Sequence, residues 1–182
     1  MTSNNIPESH IHWTQSEFSK LSLNQLYAIL ALRQQVFIVE QNCPYQDADG
    51  EDLHALHLCA WQDDDLVGYV RIFHATASDT HQLSITKRNR HGLDPDVHRI
   101  GRLIVASQAR KHRLGRTLMM RAIELALANP NSDQILIGAQ TYLLDFYTSL
   151  GFEAVGEPYL EDGLPHQDMR YQRKSIINIC AQ

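Results

Sequence analysis

The residues with the clearest chemistry are four consecutive basic side chains at positions 110–113, the stretch RKHR. They follow an apolar run and directly precede an amphipathic stretch with helical spacing. The first N–H groups of a helix have no internal partner and lie at the positive end of its macrodipole, so this junction suits an anion. Gly115 lets a ligand approach the backbone. The junction predicts a diphosphate site formed by Arg110, Lys111, His112, Arg113, Leu114, Gly115, Arg116 and Thr117.

The alternative is that the basic stretch is only a solvated turn. Cations at a helix N-terminus oppose the macrodipole, so their presence needs a compensating reason. The formal net charge of the chain is -5, which makes this local reversal of sign more telling. A chain with that charge and a pI near 6.0 has no global basic field for nucleic acid or an anionic membrane surface. We therefore favour a local anion site.

The composition predicts one domain, residues 1–182, with 43% hydrophobic residues for a single core. The three cysteines show no CxxC spacing, and His54 and His57 lack a third ligand nearby, so we expect no disulfide scaffold and no catalytic metal. The N-terminus lacks the pattern of an export signal, and no segment is long and apolar enough to span a membrane. We expect a soluble, cytoplasmic protein.

The elements that must position the basic loop follow from periodicity and turn residues. An S-x-x-Q capping box at Ser22 starts a predicted helix. Residues 39–52 form a predicted acidic loop with five carboxylates, and residues 75–96 receive no assignment. The predicted helices are 23–37, 114–127 and 143–150, and the predicted strands are 11–13, 57–61, 66–73, 100–105, 135–139, 152–159 and 167–173. This order predicts an α/β fold with a mixed, twisted sheet flanked by helices.

Two motifs resemble the GNAT superfamily of N-acetyltransferases. The stretch RKHRLGR is similar to the superfamily's Q/R-x-x-G-x-G/A diphosphate loop, with Arg110 first and Gly115 last. Arg113 replaces the usual first glycine, so it must take the loop conformation with a side chain attached. The stretch DFYTSLGF at positions 145–152 is similar to the F-Y-x-x-x-G-F signature. Residues 33–52 and the stretch DGLPH at 162–166 resemble the ElaA-type branch.

The resemblance implies a fold in which strands 4 and 5 splay apart around the arm of acetyl-CoA, the cosubstrate. The arm would pair with Leu103, Ile104 and Val105, and Tyr147 would protonate the departing thiolate. An amine would attack the thioester directly through a tetrahedral intermediate. Cys43 lies in the acidic loop, where carboxylates disfavour a thiolate, so we expect no acyl-cysteine.

The acceptor implied by the resemblance is a small amine or a peptide amine, and a homodimer formed through the final strands is an expectation. The acidic loop flanks the acceptor site in the family, although a solvated acidic face is the alternative for each carboxylate. Glu40 is the first candidate for taking the amine proton, and His166 is the second because imidazole titrates near neutral pH. The expected substrate-binding residues are Gln41, Tyr45, Asp47, Asp49 and His57.

Two other functions stay open at this point. An acyltransferase related to acyl-homoserine-lactone synthases shares the fold and an early R-x-x-V-F segment, but it takes acyl chains from a carrier protein. The diphosphate loop argues against that reading. A non-catalytic CoA-binding regulatory domain would keep the loop without an acceptor site.

Overall fold

Seven strands and three α-helices make up the described part of the chain, which is residues 11–75, 97–110 and 112–173 of a computed structural model. The helices are α1 (Leu23–Arg33), α2 (Leu114–Ala128) and α3 (Leu144–Thr148), and α1 continues directly into a wider π-helical stretch, Gln34–Glu40. The strands are β1 (Ile11–Glu17), β2 (Leu56–Gln62), β3 (Asp65–Phe73), β4 (His98–Val105), β5 (Gln134–Gln140), β6 (Phe152–Glu161) and β7 (Leu164–Gln172).

The strands form one seven-stranded mixed sheet in the order β1-β2-β3-β4-β5-β7-β6. Only β4 and β5 pair in parallel among the described strands, and α2 is the crossover that joins them. Every other neighbouring pair is antiparallel. The mixed α/β sheet predicted from the sequence is confirmed.

The helices cover opposite faces of the sheet because side chains alternate along each strand. Leu58 and Val70 lie in the core cluster that contains most of the buried residues of α2. The adjacent Cys59 and Tyr69 lie in a second cluster with Ile29 of α1. The sheet is therefore buried on both sides at its centre, which is where β3 and β4 lie.

The predicted elements are all present, with shifted ends. The Ser22 capping box is formed, since Gln25 N–H donates to Ser22 Oγ at 3.2 Å and Ser22 N–H donates to the Gln25 side chain at 2.9 Å. The helix predicted over 23–37 changes to π winding after Arg33, and the predicted acidic loop ends in a short 3-10 turn, Glu51–His54. The unassigned stretch 75–96 lies outside the described residues, apart from Ala75.

A buried histidine ties the beginning of β4 to its surroundings. The His98 ring is fully buried, and its Nδ1 accepts a hydrogen bond from Ala75 N–H at 2.8 Å. Its Nε2 therefore carries the proton and donates to the Ser132 carbonyl at 3.1 Å. The His74 ring contacts the His98 ring edge-on, with the centroids 5.6 Å apart. Burial lowers the pKa of His57, His74 and His98, so each is held neutral.

We expect the free energy of unfolding to fall as the pH drops below about 6.5, the value for an unfolded histidine. Below this pH the histidines bind protons in the unfolded chain but stay neutral in the folded protein. Each ring therefore lowers the free energy of unfolding by up to about 1.4 kcal/mol per pH unit. In His98→Asn the amide oxygen can still accept from Ala75 N–H but cannot titrate. Urea titrations between about pH 5 and 7 should show a shallower slope for this variant. An unchanged slope would contradict the assignment.

Candidate active site

The sheet opens into a slot between β4 and β5. The two strands are in register only at His98 with Ile135 and at Arg99 with Leu136. Beyond these pairs both strands continue, β4 to Val105 and β5 to Gln140, without pairing to each other. A cleft of about 740 Å³ lies between them, lined by the unpaired ends of both strands. Alternate backbone N–H and C=O groups of each edge are therefore available to an extended ligand.

Arg110 and Gly115 of the predicted diphosphate loop line this cleft. A Cβ added at Gly115 would meet only Val105 Cγ2, at 3.6 Å, which is ordinary van der Waals contact. The fold itself therefore does not require glycine at this position. The free space over the first turn of α2 instead suits a ligand that approaches the backbone closely.

Arg113 begins α2 in the left-handed conformation, with φ +59 and ψ 8. The sequence left open whether the residue in place of the motif's first glycine has a negative φ; the structure gives it the positive φ of a glycine. A side chain there is unfavourable by about 1 kcal/mol. Arg113 thus adopts the left-handed conformation at a cost to the free energy of unfolding.

The residues predicted to bind the cofactor line two different cavities. The predicted residues that line the cleft are Leu103, Ile104, Val105, Arg110 and Gly115. His112, Leu114 and Thr117 instead line a smaller cavity of about 240 Å³ beside β1. Arg116 is held by Ser149, with Nη1 donating to Oγ at 3.0 Å. Lys111 lies outside the described residues. Binding of a diphosphate by these residues stays a prediction.

Glu40 and Arg110, predicted for different roles, pair with each other. Arg110 Nη2 lies 2.5 Å from Glu40 Oε2, and Arg110 Nε donates to the Val105 carbonyl at 3.0 Å. The pair joins the end of the π-helical stretch to the end of β4. Glu40 therefore enters the cleft wall with its negative charge already compensated.

Tyr147 lies in the cleft wall and is buried, with 7% of its surface exposed. Its ring contacts Phe146 and Phe152 edge-on, with centroids 5.0 and 5.9 Å away. Within the described residues its hydroxyl makes no hydrogen bond. Burial raises the pKa of the Tyr147 phenol, and the nearby Tyr142 adds to the rise. The group is therefore a protonated donor at neutral pH with no competing acceptor.

The carboxylates of the acidic loop point inward and pair with arginines. The sequence had left two alternatives for this loop, a solvated face and an amine-binding site. Asp47 accepts from Arg33 Nε and Arg102 Nε at 2.7 Å each. Asp49 accepts from Arg71 Nη2 at 2.6 Å and from Arg102 Nη2 at 3.2 Å. Burial alone would raise the pKa of both carboxyls, but the hydrogen bonds and charges of these arginines lower it.

The position of these carboxylates argues against the alternative of a solvated acidic face. Asp47, Glu51 and Asp52 are buried, and Asp52 accepts from Arg33 at 2.7 Å and from Arg71 at 2.8 Å. Asp47 and Asp49 are saturated by guanidinium groups, and Asp47 does not line the cleft. The geometry favours a structural role for both, and their amine-binding role stays a prediction without support from their contacts.

The other expected substrate-binding residues lie in different environments. His57 is a core residue, with Nδ1 2.8 Å from the Tyr69 hydroxyl and Nε2 2.9 Å from the Asp52 carbonyl. Tyr45 lines the cleft, but its hydroxyl donates to Asp47 at 2.9 Å. Gln41 lines the cleft and bridges the slot, since Gln140 Nε2 donates to Gln41 Oε1 at 3.1 Å. Of these three, Gln41 is best placed to meet a substrate.

His166 projects from β7 into the same cleft. Its Nδ1 donates to the Leu164 carbonyl at 2.9 Å, so in the neutral ring Nε2 carries the lone pair. The ring stacks on Tyr159, with centroids 5.9 Å apart, and the Tyr159 hydroxyl donates to Asp168 at 2.8 Å. The imidazole is thus oriented with a fixed tautomer, which suits a proton acceptor.

Sequence reasoning missed the partners of the predicted residues: Arg33, Arg71, Arg102, Tyr159 and Asp168. A signal existed for two of them. Arg71 and Arg102 interrupt the apolar runs LVGYVRIF and IGRLIV, and an arginine inside a buried strand requires a carboxylate partner. The acidic loop was the obvious source of that partner.

The described residues contain no group of three His, Cys, Asp or Glu side chains arranged to hold a metal ion. Within the same residues, no helix has the length and apolar character needed to cross a membrane.

Comparison with known proteins agrees with this geometry. The acetyltransferase (GNAT) domain profile matches residues 32–173. ElaA of Escherichia coli K12 is 41% identical over 161 residues, 87% of this chain and 95% of that protein. Its crystal structure superposes with a TM-score of 0.74 at 39% identity, covering 89% of this chain and 99% of ElaA. An acyl-CoA N-acyltransferase from Pseudomonas aeruginosa gives a TM-score of 0.72 at 38% identity, covering 88% of this chain and 99% of that one.

A more distant likeness shows the fold alone. The CoA-dependent acyl-homoserine lactone synthase BjaI superposes with a TM-score of 0.68 at 20% identity, covering 91% of this chain and 84% of BjaI.

Replacement of Arg113 by glycine should stabilise the protein. Glycine adopts the observed φ without steric cost, and the gain of about 1 kcal/mol is reduced by the greater freedom of glycine in the unfolded chain. We expect a net increase of about 0.5 kcal/mol in the free energy of unfolding, measured by urea denaturation. Arg113→Ala is the matched control, because it removes the same side chain but keeps the strained φ. An alanine variant as stable as the glycine variant would contradict the role of backbone strain.

Proposed function

The chain belongs to the GNAT family of acetyltransferases, as its motifs predicted, and we propose that it moves an acetyl group from acetyl-CoA to a primary amine. The observation that carries the proposal is the slot between β4 and β5, which is lined by two strand edges not paired to each other and by Tyr147, whose hydroxyl makes no hydrogen bond within the described residues. A thioester that lies along this edge would place its leaving sulfur beside a proton donor. The small amine or peptide amine that accepts the acetyl group is not specified by the fold.

The shape of the site fits an acyl-CoA. An extended pantetheine arm needs backbone donors and acceptors along its length, which the unpaired edge at residues 103–105 supplies. A diphosphate needs backbone N–H groups and space above them, which the first turn of α2 supplies at Gly115. When bound, acetyl-CoA supplies the activated acetyl group. Among acyl groups, acetyl is our specific proposal.

Tyr147 is the general acid of the proposed reaction. A thiolate leaving group requires a proton or strong hydrogen-bond donation as the carbon–sulfur bond breaks. Because burial raises the pKa of Tyr147, the phenol stays protonated across the working pH range. Its hydroxyl has no internal acceptor to give up among the described residues, so it can serve the sulfur directly.

His166 is a better candidate than Glu40 for removing the proton of the acceptor amine. Glu40 is already engaged in an ion pair with Arg110, so its carboxylate is not free to meet an amine. His166 lines the cleft, and its ring is held by Leu164 and Tyr159 with Nδ1 as the donor, which leaves Nε2 of the neutral ring as an acceptor.

The Tyr147→Phe variant tests the proposal. The change removes one unbonded hydroxyl, so the fold should persist, while kcat for thiol release should fall about 100-fold. The KM for acetyl-CoA should stay within about threefold, because the hydroxyl acts on the leaving group. Release of free CoA is followed with a thiol reagent over a panel of amines, including diamines, amino acid amides and peptide N-termini.

Tyr171→Phe is the matched control. Tyr171 contacts the same Phe152 ring, at 5.5 Å, but does not line the cleft. Equal rates for the two variants would remove Tyr147 from the mechanism. A wild-type protein that binds acetyl-CoA but acetylates none of the amines would instead support the non-catalytic CoA-binding function.

A further inference from the structure

Strand β4 contains a bulge at the point where the slot opens. Tyr69 and Arg71 of β3 pair with Ile104 and Gly101 of β4, so β4 carries one residue more than β3 over the same interval. Within that interval Arg102 has φ +54, in the left-handed region that disfavours a non-glycine residue. A conformation of this kind persists only where the surroundings hold it.

The guanidinium of Arg102 is held on several sides. Its Nε donates to Asp47 Oδ1 at 2.7 Å, and its Nη2 donates to Asp49 Oδ2 at 3.2 Å. The rings of Phe37 and Tyr45 lie 5.8 and 5.7 Å from its central carbon. A planar fork with these partners fixes direction as well as charge.

The two aspartates that hold Arg102 are themselves fixed from elsewhere in the fold. Asp47 also accepts from Arg33 at the end of α1, and Asp49 also accepts from Arg71 of β3. The side chain of Arg102 is therefore tied to α1 and β3 by groups that cannot move independently. Its backbone, which carries the bulge, is tied with it.

The bulge directly precedes the strand edge that lines the slot. Pairing of β4 with β5 ends at Arg99, and residues 103–105 line the cleft without a partner in β5. A rotation of the backbone at Arg102 would turn the N–H and C=O groups of these residues. The direction of that edge is set by the bulge together with the pairing of Ile104 and Val105 with β3.

We propose that Arg102 is a positioning residue for acyl transfer: its guanidinium, clamped by Asp47 and Asp49, holds the bulge of β4 so that residues 103–105 present a fixed backbone edge to the thioester. The inference rests on the proposed function, because it requires the acyl donor to lie along β4. It adds a role for a side chain that has no place in the diphosphate loop or in proton transfer.

Replacement of Arg102 by glycine separates this role from simple stability. Glycine accepts a positive φ but also populates negative values, so the bulge becomes free to change. Each aspartate keeps another arginine, Asp47 with Arg33 and Asp49 with Arg71, so no buried carboxylate is left unpaired. We expect the variant to fold cooperatively, with a lower midpoint of urea unfolding than the wild type because the buried cluster loses one cation.

The expected kinetic result is a loss of at least tenfold in kcat that added guanidinium ion restores. The variant leaves a cation-shaped space between Asp47 and Asp49 that this ion fits. Guanidinium chloride at about 50 mM, far below denaturing concentrations, should recover most of the loss in a saturable manner. Sodium chloride at the same concentration should not, and the Tyr147→Phe variant should not respond to guanidinium.

A measurement that does not depend on enzyme turnover tests the positioning role separately from the proposed function. Amide hydrogen exchange of residues 100–105 should be faster in Arg102→Gly than in the wild type, and guanidinium should slow it again. An inactive wild type with this exchange pattern would sink the proposed function and leave the control of the bulge by Arg102 intact. Unchanged exchange, unchanged kcat, or a loss of kcat that guanidinium does not restore would overturn the positioning role.

Discussion

Charge compensation among buried arginines and aspartates is the interaction on which the slot depends. Arg33, Arg71 and Arg102 come from α1, β3 and β4, and the carboxylates that join them come from one loop. Removal of one partner from a buried ion pair commonly costs about 3–5 kcal/mol, because the other charge is left without water. The network therefore fixes the relative position of these elements, and the divergence of β4 from β5 begins next to it.

Two residues beside the elements that line the cleft have backbone conformations that non-glycine residues disfavour. Arg102 and Arg113 both have positive φ, the first in the β4 bulge and the second at the start of α2. Both flank the strand edge and helix N-terminus that would receive an acyl-CoA. Strain at such positions is typical of sites where backbone geometry serves a ligand, and here the surrounding ion pairs and helix hold it in place.

The groups proposed for proton transfer lie on the other wall of the slot. Tyr147 is supported by a cluster of aromatic rings, and His166 is supported by a carbonyl and a stacked tyrosine. Both side chains come from elements that follow β5, whereas the ion network lies on the side of β4. The slot thus lies between the β4 side, which would hold the thioester, and the side that follows β5, which would carry out proton transfer. The Gln41 and Gln140 amides bridge the two sides.

Local patterns predicted the elements well, because capping at Ser22, alternation in the strands and the periodicity of α2 are short-range signals. The motifs at Gly115 and Tyr147 located the slot. The sequence did not reveal the partners of the acidic loop, since a run of carboxylates looks the same whether it faces water or arginines that lie 14 to 55 positions away in sequence. The π winding after Arg33 and the burial of His57 in the core likewise depend on tertiary contacts, which local sequence patterns do not reveal.

The proposed function requires that acetyl-CoA bind in the slot with its diphosphate over the first turn of α2. Calorimetric titration of the wild type and of Gly115→Trp with acetyl-CoA measures this binding. The indole would fill space that is open at this glycine, so we expect submillimolar binding to the wild type, no measurable binding to the variant, and a similar unfolding midpoint for both. Absence of binding to the wild type, or equal binding to both proteins, would contradict it.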